Sequence, residues 1–390
     1  MTVQPDGRER LTESPQSQLS STHYPGLCGR IEMRRSTTVL IGRWTAEGPV
    51  SLQRLCKWRD EDGWGESWLA HCEQALASQE EELLRLLEAE LDLVEAATFT
   101  ITKSRLEGVE ANELLRQVEA ALSLAKNPDS RDLALEGRLR MERGLAHIEC
   151  GDMESARDDL TWAETRLKSV SKAGRDHDIS LLNKAAFHVL VDEPLMALQV
   201  YSDIPRDGEH IPETIAFSRY GAAQLYAHLG QFDAALRHAW VAFTLADESG
   251  LIDLAWACGT TFLVIGAESL DDSAQAMAIQ VEEATPRSAG EENSEPGVTT
   301  AEYLSVFHRC VELWDGEVDG NSRQDLMGLL SAALMLGEMD EISDLFKSPE
   351  ALEDPFLIAA IMQVVDEEES PKWQHRLTSM MTLSTKESSD

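Results

Sequence analysis

The sequence predicts an all-α fold, an α-solenoid of antiparallel helix pairs. Three observations predict it. From about Glu73 onward, apolar residues recur at helical spacing almost without a break. A short turn followed by a helix rich in small residues recurs along the chain. The one β-branched run, residues 36–44, has no second strand to pair with.

Residues 1–35 are rich in Ser, Gln, Pro and charge and are expected to form a disordered tail, since they bury too little surface to order themselves. Met33 opens a second plausible start, and no apolar h-region of a signal peptide precedes it. Residues 36–72 follow as an N-terminal element. STTVLIGRW (36–44) reads as a short, irregular, strand-like flap ended by Gly48-Pro49. KWRDEDGWGESWLAHCEQ then gathers Trp58, Trp64 and Trp68, read as a cap over the exposed end of a helical stack. From Glu80 to Ala97 one helix is expected, with Leu83, Leu86, Leu87, Leu91 and Val94 on a single stripe. ANELLRQVEAALSLAK is its partner, ended at Asn127-Pro128-Asp129 because proline breaks the helical ladder.

Three segments then share one register: Gly144–Leu167, Ala185–Pro205 and Ala222–Asp247. Their turns begin at Gly151, Asp192 and Gly230, residues suited to the left-handed cap of a helix C-terminus, Asp192 less comfortably than the glycines. Gly144, Ala185 and Ala223 lie early in the first helix of each unit, and Ala156, Ala197 and Ala235 lie five positions past the start of each turn. Helices joined by a tight turn cross closely only where side chains are small.

These segments resemble tetratricopeptide (TPR) repeats. Gly151-Asp152 and Gly230-Gln231-Phe232 are similar to the TPR turn, and Ala156, Leu160 and Ala163 to its small-bulky-small second helix. Ala235, Ala239 and Ala242 follow the same pattern with alanine in the bulky slot, and Pro205 sits near the terminal proline. The turns are 41 and 38 residues apart against the TPR period of about 34, and the early Trp-x-x-Leu-Gly is missing, so HEAT-type repeats stay open. Weaker units extend the array, one at GVEANELLRQVEAAL, one with Ala274 in the contact slot and one with its turn at Gly337-Glu338. The expected organisation is TPR-like repeats over 73–284, a flexible linker over 285–300, C-terminal helical repeats over 301–370 and a polar tail over 371–390. The resemblance implies a right-handed superhelix whose first helices line a concave groove.

Charge narrows the function. Seventy acidic residues against 34 basic ones give a net charge of -36. Such a surface repels nucleic acid and anionic membranes and favours a basic or amphipathic protein partner. Nine Lys against 25 Arg also suits a saline cytoplasm, where carboxylates maintain solubility. No run of about 18 apolar residues marks a membrane span, so a cytoplasmic location is expected. The six cysteines are scattered, with no CxxC. Phosphate-loop, dinucleotide, zinc-protease and serine-hydrolase motifs are absent, so neither catalysis, metal nor cofactor is expected. His147 and His188 occupy equivalent places in successive units and read as packing residues in a tyrosine-sized slot.

The resemblance assigns binding to residues of the first helix in each unit. They are Arg138, Met141, Glu142, Leu145 and Glu149; then Leu182, Asn183, Ala186 and Val189; then Phe217, Tyr220, Gln224 and His228. Of the clamp by which some TPR domains grip a chaperone's C-terminal carboxylate, Asn183 alone is kept, and Glu142 opposes such a ligand. The expected function is a protein-protein interaction scaffold or adaptor. The alternative is a helical-repeat regulator or enzyme with its site near Trp58, Trp64 and Trp68.

Overall fold

The computed structural model describes residues 40–62, 68–127, 132–170, 172–206, 208–269 and 300–314, together with 328, 329, 332, 333 and 336. The expected tails, 1–35 and 371–390, lie outside them, as do Trp64, Ala274, Gly337-Glu338 and all of the expected linker but Thr300. Every described element is helical: α1 (40–47), α2 (Leu52–Asp62), α3 (Trp68–Ala77), α4 (Glu81–Glu88), α5 (Leu93–Leu106), α6 (Ala111–Ala125), α7 (Leu133–Glu149), α8 (Met153–Val170), α9 (Arg175–Leu190), α10 (Pro194–Ser202), α11 (Pro212–His228), α12 (Phe232–Glu248), α13 (Ile252–Ser269) and α14 (Thr300–Leu313). No described helix is long and apolar enough to cross a membrane.

Two expectations need correction. Residues 40–47 are helix rather than a strand-like flap. Leu40 and Trp44 enter a core with Leu55, Trp58, Leu69, Cys72, Leu83, Leu87 and Phe99, and that burial outweighs the β-branched composition upstream. The single helix expected over Glu80–Ala97 is two, α4 and α5. Asp92 caps α5 by accepting from the backbone N–H of Val94 and Glu95, while the Glu95 carboxylate accepts from the N–H of Asp92. This reciprocal box restarts the helix where periodicity alone reads straight through.

The repeat turns form as expected. Gly151, Asp192 and Gly230 all have positive φ, at 80°, 59° and 72°. At each, the next residue's N–H reaches back five positions: Asp152 to His147 O, Glu193 to His188 O, and Gln231 to Tyr226 O, at 2.8–2.9 Å. This closes the helix end on its own orphan carbonyls. Gly108 and Gly250 close α5 and α12 in the same way. The small residues sit at the helix crossings: Ala156, Ala163, Ala185, Ala197, Ala223, Ala235, Ala239 and Ala242 are fully buried. A Cβ added at Gly144 would meet Leu160 Cγ at 3.0 Å.

The chain divides into two compact units, Met1–Val200 and Tyr201–Asp390, the boundary falling within α10. In the first, α5 pairs with α6 and α7 with α8; α3, α5, α7 and α9 also pack one against the next. In the second, α11 pairs with α12, α12 packs on α13, and α13 on α14. A buried carboxylate recurs in the first turn of these helices: Glu136 on α7, Asp178 on α9, Glu213 on α11 and Glu302 on α14. Negative charge there meets the positive end of the helix dipole and its free N–H groups.

Candidate functional site

The residues assigned to the binding face stand on α7, α9 and α11, and several of them join consecutive first helices instead of looking outward. Arg105 on α5 donates through Nε to Glu142 at 3.1 Å and through Nη1 to Glu149 at 2.5 Å, both on α7. Arg138 on α7 donates to Glu73 on α3, whose carboxylate also meets Arg175 on α9 at 3.4 Å and the Thr102 hydroxyl on α5 at 3.3 Å. Arg138 further stands 4.0 Å from Asp176 on α9. Burial opposes the charge on Arg105, but Glu142 and Glu149 more than offset it and raise its pKa. Burial likewise disfavours the Arg138 cation, and Glu73, then Asp176, outweigh it and raise its pKa too.

Asn183, the one survivor of the carboxylate clamp, is buried and donates through Nδ2 to Met141 Sδ at 3.4 Å. It is thus turned onto α7. Met141, Leu145, Leu182 and Phe217 are buried as well. Ala186 and Val189 on α9 are half-exposed. In the second unit Tyr220 accepts from the Thr261 hydroxyl at 3.4 Å, joining α11 to α13; Gln224 is half-exposed and His228 exposed. The repeat register picks out first-helix positions, yet it does not tell a residue that looks outward from one that reaches the neighbouring helix.

The first-unit row holds four carboxylates, Glu73, Asp176, Glu142 and Glu149, against three guanidiniums, Arg105, Arg138 and Arg175. It ends one negative charge in excess. Each group already has a fixed partner, so the charges of this row are held in place.

Trp58 is fully buried, with the Arg43 and Arg54 guanidiniums 5.0 and 5.8 Å from its ring. Trp68 packs on the same core under Arg59, 4.3 Å from its ring. His188 is buried and donates from Nδ1 to Glu193 Oε2 at 2.8 Å, while Arg157 grips the same carboxylate with two bonds of 2.8 and 2.9 Å. Arg157 first, then His188, holds the Glu193 carboxyl at about 2. These contacts fix the turn after α9, a tie the repeat pattern did not reveal.

No family model matches the chain, and no curated protein does. Among solved structures, one match is a Rap protein complexed with competence and sporulation factor, at 11% identity and a TM-score of 0.45, covering 93% of this chain and 99% of that one.

Proposed function

We propose that this chain is a protein-protein interaction scaffold or adaptor, a binding module rather than an enzyme. Its ligand is a basic or amphipathic segment of a partner protein, laid across α5, α7 and α9. The observation that supports this most is the row Arg105–Glu142–Glu149 on α5 and α7, with Ala186 and Val189 half-exposed on α9, which packs against α7. It is a pre-set surface, one carboxylate in excess, with an apolar strip at its edge. A helix carrying Lys or Arg on both sides of an aliphatic stripe complements it. Pre-organised charges cost little to order on binding, so they add specificity at small entropic expense.

The probe is a fluorescein-labelled helical peptide of Leu, Ala and Lys, followed by anisotropy. Saturable binding that weakens about tenfold in Ala186→Arg is the expected result, since the new cation opposes the peptide's own at a half-exposed position. An isotherm without saturation, or an Ala186→Arg protein that binds as tightly as the parent, would remove the reading.

A further inference from the structure

Two positions along α7 from Arg138, and therefore about 200° around the helix, Arg140 points to different surroundings. It stands with α8 at a recess of about 940 Å³, lined also by Arg157, Asp158, Trp162, Thr165 and Arg166. In a chain with twice as many acids as bases this recess is cationic. Its centre is the Trp162 indole, half-exposed, with the Arg140 guanidinium 4.6 Å and the Arg166 guanidinium 5.1 Å from the ring.

The charges are unevenly matched. Asp159, almost fully buried, takes Arg143 on both oxygens at 2.6 and 2.7 Å and Arg140 on one at 2.9 Å. Two guanidiniums share that one carboxylate, and Arg140 Nε is buried without a hydrogen-bond partner among the described residues. Arg157 is committed to Glu193 and forms a fixed wall. Arg166 has no ion pair or side-chain hydrogen bond among the described residues; its guanidinium rests on the indole. Two cations are thus positioned, by Asp159 and by Trp162, and Arg166 keeps its guanidinium donors unbonded among the described residues.

We propose that this recess docks an acidic segment of a partner peptide, with a carboxylate on Arg166 and Arg140 and an aliphatic side chain against Trp162. Guanidiniums take carboxylates in paired, directional bonds, and Trp and Arg are the residues that dominate binding at protein interfaces. The volume suits a peptide's side chains rather than a single small ion. From Arg157 to Arg166 the wall runs about 13 Å along α8, the reach of roughly four extended residues. A nucleic acid would carry its charges beyond the recess into the surrounding acidic surface. The site is separate from the face of α5, α7 and α9 and prefers the opposite charge, so it stands or falls without it.

The test uses a fluorescein-labelled peptide of alternating Glu and Leu, titrated by anisotropy with the full chain. The parent protein is expected to bind it saturably. Arg166→Glu should weaken it by about tenfold or more and Arg166→Gln by less, as loss of one charge-assisted pair implies. Arg116→Glu on α6, 75% exposed, has the same charge change away from the recess and should stay within about twofold. Thermal melts of both Arg166 variants check folding, and Arg166→Gln alone decides if the glutamate variant melts early. No saturation below about 100 μM, or an equal loss in Arg116→Glu and Arg166→Glu, overturns the proposal. So does complete displacement by an equal concentration of inorganic phosphate, which would make the recess a small-anion site.

Discussion

Arg138 and Glu73, 65 positions apart in sequence, form an ion pair in the interior of the first unit, the Glu73 side chain only 3% exposed. A buried carboxylate that loses its main cation keeps its desolvation cost, whereas removing both charges can be nearly neutral. Arg138→Leu should therefore lower stability by about 3–5 kcal/mol, and Glu73→Leu with Arg138→Leu should recover most of it. Urea unfolding of the single and double variants measures this. A double variant no better than the single one would mean that Arg175 and Thr102 bind the network too tightly for pairwise removal.

Glu164 gives stability a defined dependence on acid. His177 Nε2 stands 3.9 Å from one oxygen and Lys184 Nζ donates to the other at 3.3 Å. The Ala173 N–H donates to His177 Nδ1 at 3.1 Å, which leaves the ring proton on Nε2, facing the carboxylate. His177, then the Lys184 and Lys168 charges, hold Glu164 at about 2 against an ordinary 4.5, although burial pushes the other way. A carboxyl lowered in the folded state stabilises it fully above 4.5, and that contribution disappears as pH falls toward 2. The stability gap between the parent and Glu164→Gln should be roughly 3 kcal/mol at neutral pH and close over that window. Taking the difference cancels the bulk charge common to both proteins. A gap that stayed constant with pH would assign Glu164 a packing role alone.

Asp192 occupies a left-handed backbone position, φ 59°, that Gly151 and Gly230 fill elsewhere. Glycine adopts that conformation without a Cβ penalty. Asp192→Gly should raise stability by roughly 0.5–1 kcal/mol, and Gly151→Ala, with open space around its Cβ, should lower it by about 1 kcal/mol. Thermal unfolding distinguishes the two signs. A lower midpoint for Asp192→Gly would show that the aspartate side chain contributes more than the backbone costs.

Much of this architecture was legible in the residues. Gly151, Asp192 and Gly230 announce their turns because few residues tolerate positive φ, and the buried alanines announce the helix crossings because close approach admits nothing larger. The division of Glu80–Ala97 was also legible, in Asp92 and Glu95 three positions apart, but the leucine stripe runs in phase across the break and masks it. Residues 40–47 were not legible: Leu40 and Trp44 are helical because of a core assembled from distant positions. The first-helix positions of α7 and α9 were readable as positions and not as a set of contacts. Glu142 and Arg105 are 37 positions apart, and no local pattern pairs them.

The charge of -36 bears on stability as well as on partners. Repulsion between exposed carboxylates is screened by salt, over about 30 Å at 0.01 M and about 3 Å at 1 M, while pairs such as Arg138–Glu73 are shielded from it by burial. The melting midpoint should rise between low and high sodium chloride. A flat or falling midpoint would mean that ion pairs set the balance, and would favour a partner-specific origin for the acidic surface over salt adaptation.

The binding reading is tested most directly by asking which side of α7–α9 touches a partner. A photo-crosslinking side chain at Val189, half-exposed on α9, and another at Glu154, exposed on α8, sample the two sides. With the Leu, Ala and Lys helical peptide bound, irradiation should join peptide to protein from Val189 and leave Glu154 unmodified, and Ala186→Arg should suppress the adduct. Adducts from Glu154 alone, or from both positions equally, would contradict a partner face on α5, α7 and α9.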